Sequence, residues 1–277
     1  MANRAWWEAA PMRYDWREDL GAAPGTEAYF GEIDRRFLSS AKSFLPWREI
    51  PFDTLIPFAD LGGRDVLELG VGHGTHAQLL SSHCGSFTGI DLTAAAARMT
   101  ARRLGQCGLR GRILQMDGEA LGFSDDSFDY VWSWGVIHHS ADTPRILAEI
   151  SRVLRPGGLC TVMVYYRSWW QYHAFGLARG LLRGGWGSLH GIRAGNTDGA
   201  IARYYTPSEW RSVTRGLFEV TSIQVCGLKS DIVPLPHGAL KDAVVKRLPD
   251  AAARVLTSRL RMGSLLIAQM RKPDRAR

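Results

Sequence analysis

The stretch Asp65-Val66-Leu67-Glu68-Leu69-Gly70-Val71-Gly72-His73-Gly74-Thr75-His76 constrains the fold more than any other part of the chain. A short apolar run passes through three alternating glycines into Ala77-Gln78-Leu79-Leu80, whose pattern is helical. That order reads as a buried strand, a tight turn and a helix N-terminus. Glycines at the turn let the backbone approach a ligand with no Cβ in the way. The new helix end presents N–H groups that have no partner inside the helix. The spacing is G-x-G-x-G, and position 75, where a dinucleotide fingerprint carries its third glycine, is Thr75. Glu68, two residues before the first glycine, would repel a pyrophosphate. It suits a ligand ammonium, or a brace for the loop.

From residue 64 onward strand and helix patterns alternate, which predicts a parallel sheet with helices on both faces. Strands are expected near 64–69, 86–91, 111–116, 127–133 and 158–165, and helices near 75–83, 93–106 and 143–154. Thr93 stands as cap before an alanine run, and Thr206 with Pro207 opens another helix. Residues 218–225 alternate like a strand, and 262–270 read as the last one. Ahead of the sheet, Phe30, Ile33, Phe37 and Leu38 have helical spacing, after which Pro46, Pro51 and Pro57 divide the chain into short pieces. Two stretches fall outside a minimal sheet. Residues 166–205 are rich in aromatics, arginine and glycine, and residues 229–261 hold Pro234, Pro236 and two amphipathic helical patterns.

The glycine turn resembles the first motif of the class I S-adenosylmethionine-dependent methyltransferases. Later residues are similar to that family's motifs in the same order. Gly89-Ile90-Asp91-Leu92-Thr93 resembles the end of the second strand, whose acid holds the cofactor's ribose hydroxyls. Gln115-Met116-Asp117-Gly118-Glu119 resembles the end of the third, whose Asp faces the adenine amine. Ser127-Phe128-Asp129-Tyr130-Val131-Trp132-Ser133-Trp134 resembles the fourth strand, and Arg152-Val153-Leu154-Arg155-Pro156-Gly157-Gly158 the turn into the fifth. The likeness covers roughly residues 60–165 and is nearest the ubiquinone/menaquinone-biosynthesis-type (type 11) subgroup. It implies a Rossmann-like, doubly wound α/β fold with a mostly parallel seven-stranded sheet whose last strand is antiparallel. It also implies an N-terminal cap segment over residues 1–60, and a methyltransferase domain over 61–277 that contains the two insertions. S-adenosylmethionine is the implied cofactor. Its implied binding set is Glu68, Gly70, Gly72, Gly74, Thr75, His76, Asp91, Leu92, Asp117, Gly118 and Trp134.

Composition narrows the alternatives. The charge of +7 gathers toward the C-terminal end without any nucleic-acid-binding pattern, so a solvated basic face is the simpler reading and no nucleic acid is expected. An anionic acceptor, a membrane surface or RNA stays open for that charge. No uncharged apolar run is long enough to span a bilayer. An acid, Glu8, precedes any signal-like core, so a cytoplasmic location is expected. Cys84, Cys107, Cys160 and Cys226 are scattered without metal-site or disulfide spacing, and no metal is expected.

His138 and His139 follow the fourth strand, close to where a methyl would move, and are the candidate bases. A role in fixing the loop is the competing reading, and the sequence does not choose between the two rings. Tyr14, Arg167, His173 and Tyr205 are weaker candidates for the site wall. The expected reaction is methyl transfer to an oxygen or nitrogen of a small-molecule acceptor such as a natural product or sugar. Methylation of a quinone-type ring carbon and a non-catalytic cofactor-binding partner subunit are the alternatives. Residues 166–205, with rings at both ends and glycines between, are expected to cover the acceptor; a homodimer interface built from the same rings is the rival.

Overall fold

The computed structural model describes residues 2–9, 11–12, 19–174, 200–235 and 238–274. In chain order it runs α1 (Ala2–Ala9), α2 (Glu27–Phe44), β1 (Asp65–Leu69), α3 (Thr75–Ser81), β2 (Ser86–Asp91), α4 (Ala94–Gln106), β3 (Arg112–Gln115), β4 (Phe128–Trp134), α5 (Thr143–Val153) and β5 (Leu154–Tyr166). There follow β6 (Tyr204–Tyr205), α6 (Pro207–Val213), β7 (Glu219–Cys226), α7 (Lys229–Ile232), α8 (Ala239–Arg247), α9 (Asp250–Arg254) and β8 (Leu265–Arg271).

Successive residues of the central strands feed opposite faces of the sheet, so both faces are apolar. Leu67, Leu69 and Val131 join Ile146, Leu147, Ile150 and Trp210 on one side. Val66, Tyr130 and Trp132 join Ala77, Leu80 and Leu104 on the other. Phe37, Ala41 and Phe44 of α2 belong to that second cluster, so α2 is a layer of the core. It is longer than residues 27–38, the part its spacing announced, and stops only ahead of Pro46. The caps are the expected ones. Thr93 accepts from the Ala96 N–H, and Thr206 forms a reciprocal capping box with Glu209 ahead of Pro207.

The strands lie in the order β3-β2-β1-β4-β5-β8-β7, parallel from β3 to β5, with β8 antiparallel to both of its neighbours. The order reverses between β1 and β4, and in open α/β sheets a ligand crevice forms outside the strand ends at that point.

Two expectations are corrected. The described sheet has eight strands instead of seven. Pairing of β4 with β5 ends at Trp134 and Met163, leaving the edge of β5 open beyond it. Tyr204 and Tyr205 fill that edge opposite Tyr165 and Tyr166, so the insertion returns to the sheet. The 229–261 stretch has the two expected helical segments beyond Pro236, but α8 does not bury its apolar side chains. The stretch forms α7, α8, α9 and a π-turn at Val255–Arg259, and on α8 it is Lys241 that is buried while Leu240 is 68% exposed. Burial pushes Asp231 of α7 up to about 6, and the attraction of Lys241 works against that rise. The glycine-rich middle of the expected cover, 175–199, and Tyr14 lie outside the described residues.

Candidate active site

A cleft of about 810 Å³ opens at the strand-order reversal, between the ends of β1 and β4. Its floor is the glycine turn. Gly70 and Val71 both donate to the Ile90 carbonyl, at 2.8 and 3.1 Å, which pulls the turn against the end of β2. Gly70 has φ +80°, and a Cβ there would fall 2.1 Å from the Val136 side chain. Gly72, at φ +52°, would point a Cβ into open space, so its bare backbone is presented to the cleft.

Asp91 closes β2 and lines the cleft. Its carboxylate accepts from Thr93 N–H and Thr93 Oγ1, both at 2.9 Å, and from Gly72 N–H at 3.1 Å. Burial raises its pKa, and these donors oppose the rise. Leu92, Asp117 and Gly118 stand beside it in the lining. Asp117 Oδ1 accepts the Glu119 N–H at 3.0 Å. Glu119, part of the third-strand motif but given no role there, fixes the opposite rim: one carboxylate oxygen accepts from Ser140 Oγ, Ala141 N–H and Asp142 N–H.

Glu68 and His76 stand behind the glycine loop, both buried. His76 reaches the cleft and Glu68 does not. Their nearest atoms are 3.9 Å apart. Burial, then the nearby Asp91, raises the Glu68 pKa well above the usual range; burial, then Arg103, pulls His76 down to about 3. Neither group favours its charged form. His76 sits among Phe37, Phe52, Trp132 and Trp134, and Trp134 lines the cleft.

Tyr29, Asp34 and Arg103, absent from the sequence reading, clamp the loop to α2. Thr75 Oγ1 donates to Asp34 Oδ1 at 2.7 Å, and Arg103 donates to Asp34 Oδ2. Arg103, almost wholly buried, also donates to the His73 carbonyl at 3.2 Å and to Gln78 at 2.8 Å. Tyr29 of α2 meets His73 Nε2 at 3.0 Å. Thr75 therefore faces α2 as well as the cleft. Asp34→Asn should leave that guanidinium short of a counter-charge. Because Asp34 is partly exposed, the expected cost is about 1–2 kcal/mol, less than for a fully buried pair. It would be read as a lower Tm together with a several-fold weaker cofactor Kd. An unchanged Kd would mean that the clamp serves the fold alone.

The two histidines part company. His138 is fully buried, does not line the cleft, and neither ring nitrogen has a hydrogen-bond partner. Burial, then His139, holds its pKa well below the usual range, so it is neutral. His139 lines the cleft. Its Nδ1 lies 2.6 Å from the Ile201 carbonyl, an acceptor only, so Nδ1 carries the hydrogen and Nε2 is the basic atom. Helix α1 holds the residue from above: Asn3 donates to the His139 carbonyl at 2.8 Å, and the Trp7 ring meets the imidazole edge-on at 5.0 Å. Of the weaker candidates, Arg167 pairs with Glu209, Tyr205 donates to Thr143 Oγ1, His173 is exposed, and none of the three lines the cleft. Tyr165, Met163 and Trp7 occupy that wall instead.

Residues 67–162 match the family model described as "Methyltransferase domain". Over 101 residues the chain is 43% identical to a phthiotriol/phenolphthiotriol dimycocerosates methyltransferase of Mycobacterium tuberculosis, covering 36% of this chain and 37% of that one. It is 37% identical over 102 residues to a fatty-acid O-methyltransferase of Mycolicibacterium smegmatis, covering 36% of each. The chain thus spans a little over a third of the length of these relatives. A crystal structure of a SAM-dependent methyltransferase from Methanosarcina mazei superposes with a TM-score of 0.54 at 20% identity, over 76% of this chain and 93% of that one, which is a likeness of fold. The glycine turn and the strand order agree with that match, so residues 67–162 are the core of a methyltransferase domain.

Proposed function

We propose that the chain is a methyltransferase that uses S-adenosylmethionine to methylate an oxygen or nitrogen of a small, largely apolar acceptor, with His139 as the proton acceptor. The observation that carries this reading is the place of His139: at the end of β4, in the wall of the cleft that the glycine turn floors, with its tautomer fixed by a backbone carbonyl.

The residues present fit the cofactor. Gly72 offers backbone with no side chain in the way, and Asp91 and Asp117 put carboxylates at two adjacent strand ends. Behind the loop, Glu68 Oε2 is buried without a hydrogen-bond partner, an orphaned acceptor beside the cofactor turn. When bound, the cofactor supplies a methyl group already activated on a sulfonium. What is left for the protein is to place the acceptor, exclude water and receive a proton. Alignment of this kind is worth roughly 7–11 kcal/mol in well-oriented systems. Trp7, Pro11, Met12, Met163 and Tyr165 give the remaining wall its apolar character. His139 Nε2 would take the hydroxyl or amine proton as the acceptor lone pair engages. The relative named for fatty-acid O-methylation supports an oxygen acceptor.

Calorimetry with S-adenosylmethionine and with NAD, followed by methyl transfer to a panel of apolar alcohols, amines and carboxylic acids, tests the reading. Binding of NAD in preference would overturn the cofactor. Cofactor binding with no transfer to any acceptor would favour a non-catalytic subunit. Trp7→Ala removes a large ring from the acceptor wall, so the acceptor KM should rise by about threefold to tenfold. The cofactor Kd should stay unchanged; if it shifts as much as KM does, α1 belongs to the cofactor half of the cleft.

A further inference from the structure

The last helices of the chain carry apolar side chains outward. On α8, Leu240, Ala243, Val244 and Arg247 recur at helical spacing and are all exposed. Val255 and Leu260, just beyond α9, are 47% and 54% exposed, and Trp169 is 51% exposed. Apart from Leu159, these are the exposed large apolar side chains of the described residues. Their elements gather around one short helix, and two of them are in direct contact. Trp169 Nε1 donates to the Leu260 carbonyl at 3.0 Å. The short helix α7 touches α8, α9, the turn Val255–Arg259 and the turn Trp169–Ala174.

The same stretch is the basic one. Residues 229–261 contain seven Lys and Arg against three Asp. Lys241 is buried, whereas Lys246, Arg247, Arg259 and Arg261 are exposed among the apolar residues. Ser168 Oγ donates to the Arg261 carbonyl at 3.2 Å, and the Tyr166 N–H to the Ser264 carbonyl at 2.7 Å. The surface is thereby tied to the carboxyl end of β5, the edge of the sheet on which the cleft opens.

We propose that this surface docks on an anionic lipid bilayer, with Trp169, Leu240, Val244, Val255 and Leu260 entering the interface and Lys246, Arg247, Arg259 and Arg261 meeting the headgroups. The centres of protein interfaces are depleted in charge. Here cations alternate with apolar side chains, and a tryptophan stands among them, the composition of a surface that meets anionic headgroups. A second copy of the chain would set these cations against their own kind. No helix of the described residues is long and apolar enough to cross a membrane, so the contact would lie along its surface.

The test is sedimentation of the full chain with vesicles of phosphatidylcholine alone and of phosphatidylcholine mixed with phosphatidylglycerol. Anionic vesicles should carry down about tenfold or more protein, with the difference shrinking as salt rises. The double variant Leu240→Ser with Val244→Ser keeps every charge, and should lower partition by about tenfold while cofactor Kd, set in a cleft these residues do not line, stays at its wild-type value. Arg259→Gln with Arg261→Gln should remove most of the preference for the anionic vesicles. Three results would each overturn the proposal: equal partition to both vesicles; wild-type partition by the serine variant, which would mark adsorption by charge alone; or no partition together with self-association that the serine variant abolishes, which would assign the face to a second copy.

Discussion

Replacing His139 with alanine should lower turnover by about a hundredfold or more, the usual contribution of a positioned general base. Cofactor affinity should hold, because the imidazole sits at the β4 end of the cleft, across from Asp91 and the glycine turn. The adjacent ring is the internal control. His138 is fully buried and packs 3.8 Å, centroid to centroid, from Tyr165. Its alanine variant opens a cavity, so it should melt earlier while turning over near the wild-type rate. Added imidazole gives a readout that a purely structural role would not move: it should restore part of the activity of His139→Ala and none to His138→Ala. Normal turnover by His139→Ala would remove the base from the proposed mechanism. An acceptor that is already an anion, such as a carboxylate, would then be the better reading, since it has no proton to give up.

That distinction between two neighbouring histidines was not legible in the sequence. Both follow the same strand, and one residue of displacement on a 3₁₀ turn decides which ring enters the core and which faces the cleft. The partner that fixes His139, the Ile201 carbonyl, comes from the far end of the insertion. What local pattern governs was legible. The glycine spacing, the alternating apolar strands and the Thr93 and Thr206 caps each depend on residues a few positions apart, and the structure has them. The residues expected on the cofactor side, Glu68 excepted, line one cleft for the same reason, since turns after successive strands of a doubly wound sheet converge on one crevice.

Contacts between distant segments were not. Asp34 and Arg103 lie on helices that read as ordinary amphipathic elements, and only the fold brings the acid, the guanidinium and Thr75 together. The same holds for Asn3 and Trp7, which reach His139 from the start of the chain. On α8 the hydrophobic pattern misled. Apolar residues at helical spacing ordinarily face inward, but here Lys241 is buried while Leu240 and Val244 are exposed.

Asp91→Ala should weaken cofactor binding by about ten- to a hundredfold, because a hydrogen bond to a charged group is worth about 1.5–3 kcal/mol. Two effects are folded into that number. The carboxylate holds the Gly72 N–H and both donors of Thr93, so its loss also slackens the turn and the cap of α4. A ligand hydroxyl would use what acceptor capacity those three bonds leave on a group with about four lone-pair positions. A cycle with a cofactor product analogue lacking the ribose hydroxyls separates the two effects. If Asp91 receives the ribose, the wild type should bind the analogue more weakly than the parent product. The alanine variant should bind the two about equally, because the partner of the hydroxyls is already gone. If both proteins lose the same factor, Asp91 acts by bracing the turn, and the ribose finds its acceptor elsewhere. An unchanged dissociation constant for the variant with the parent cofactor would remove both roles.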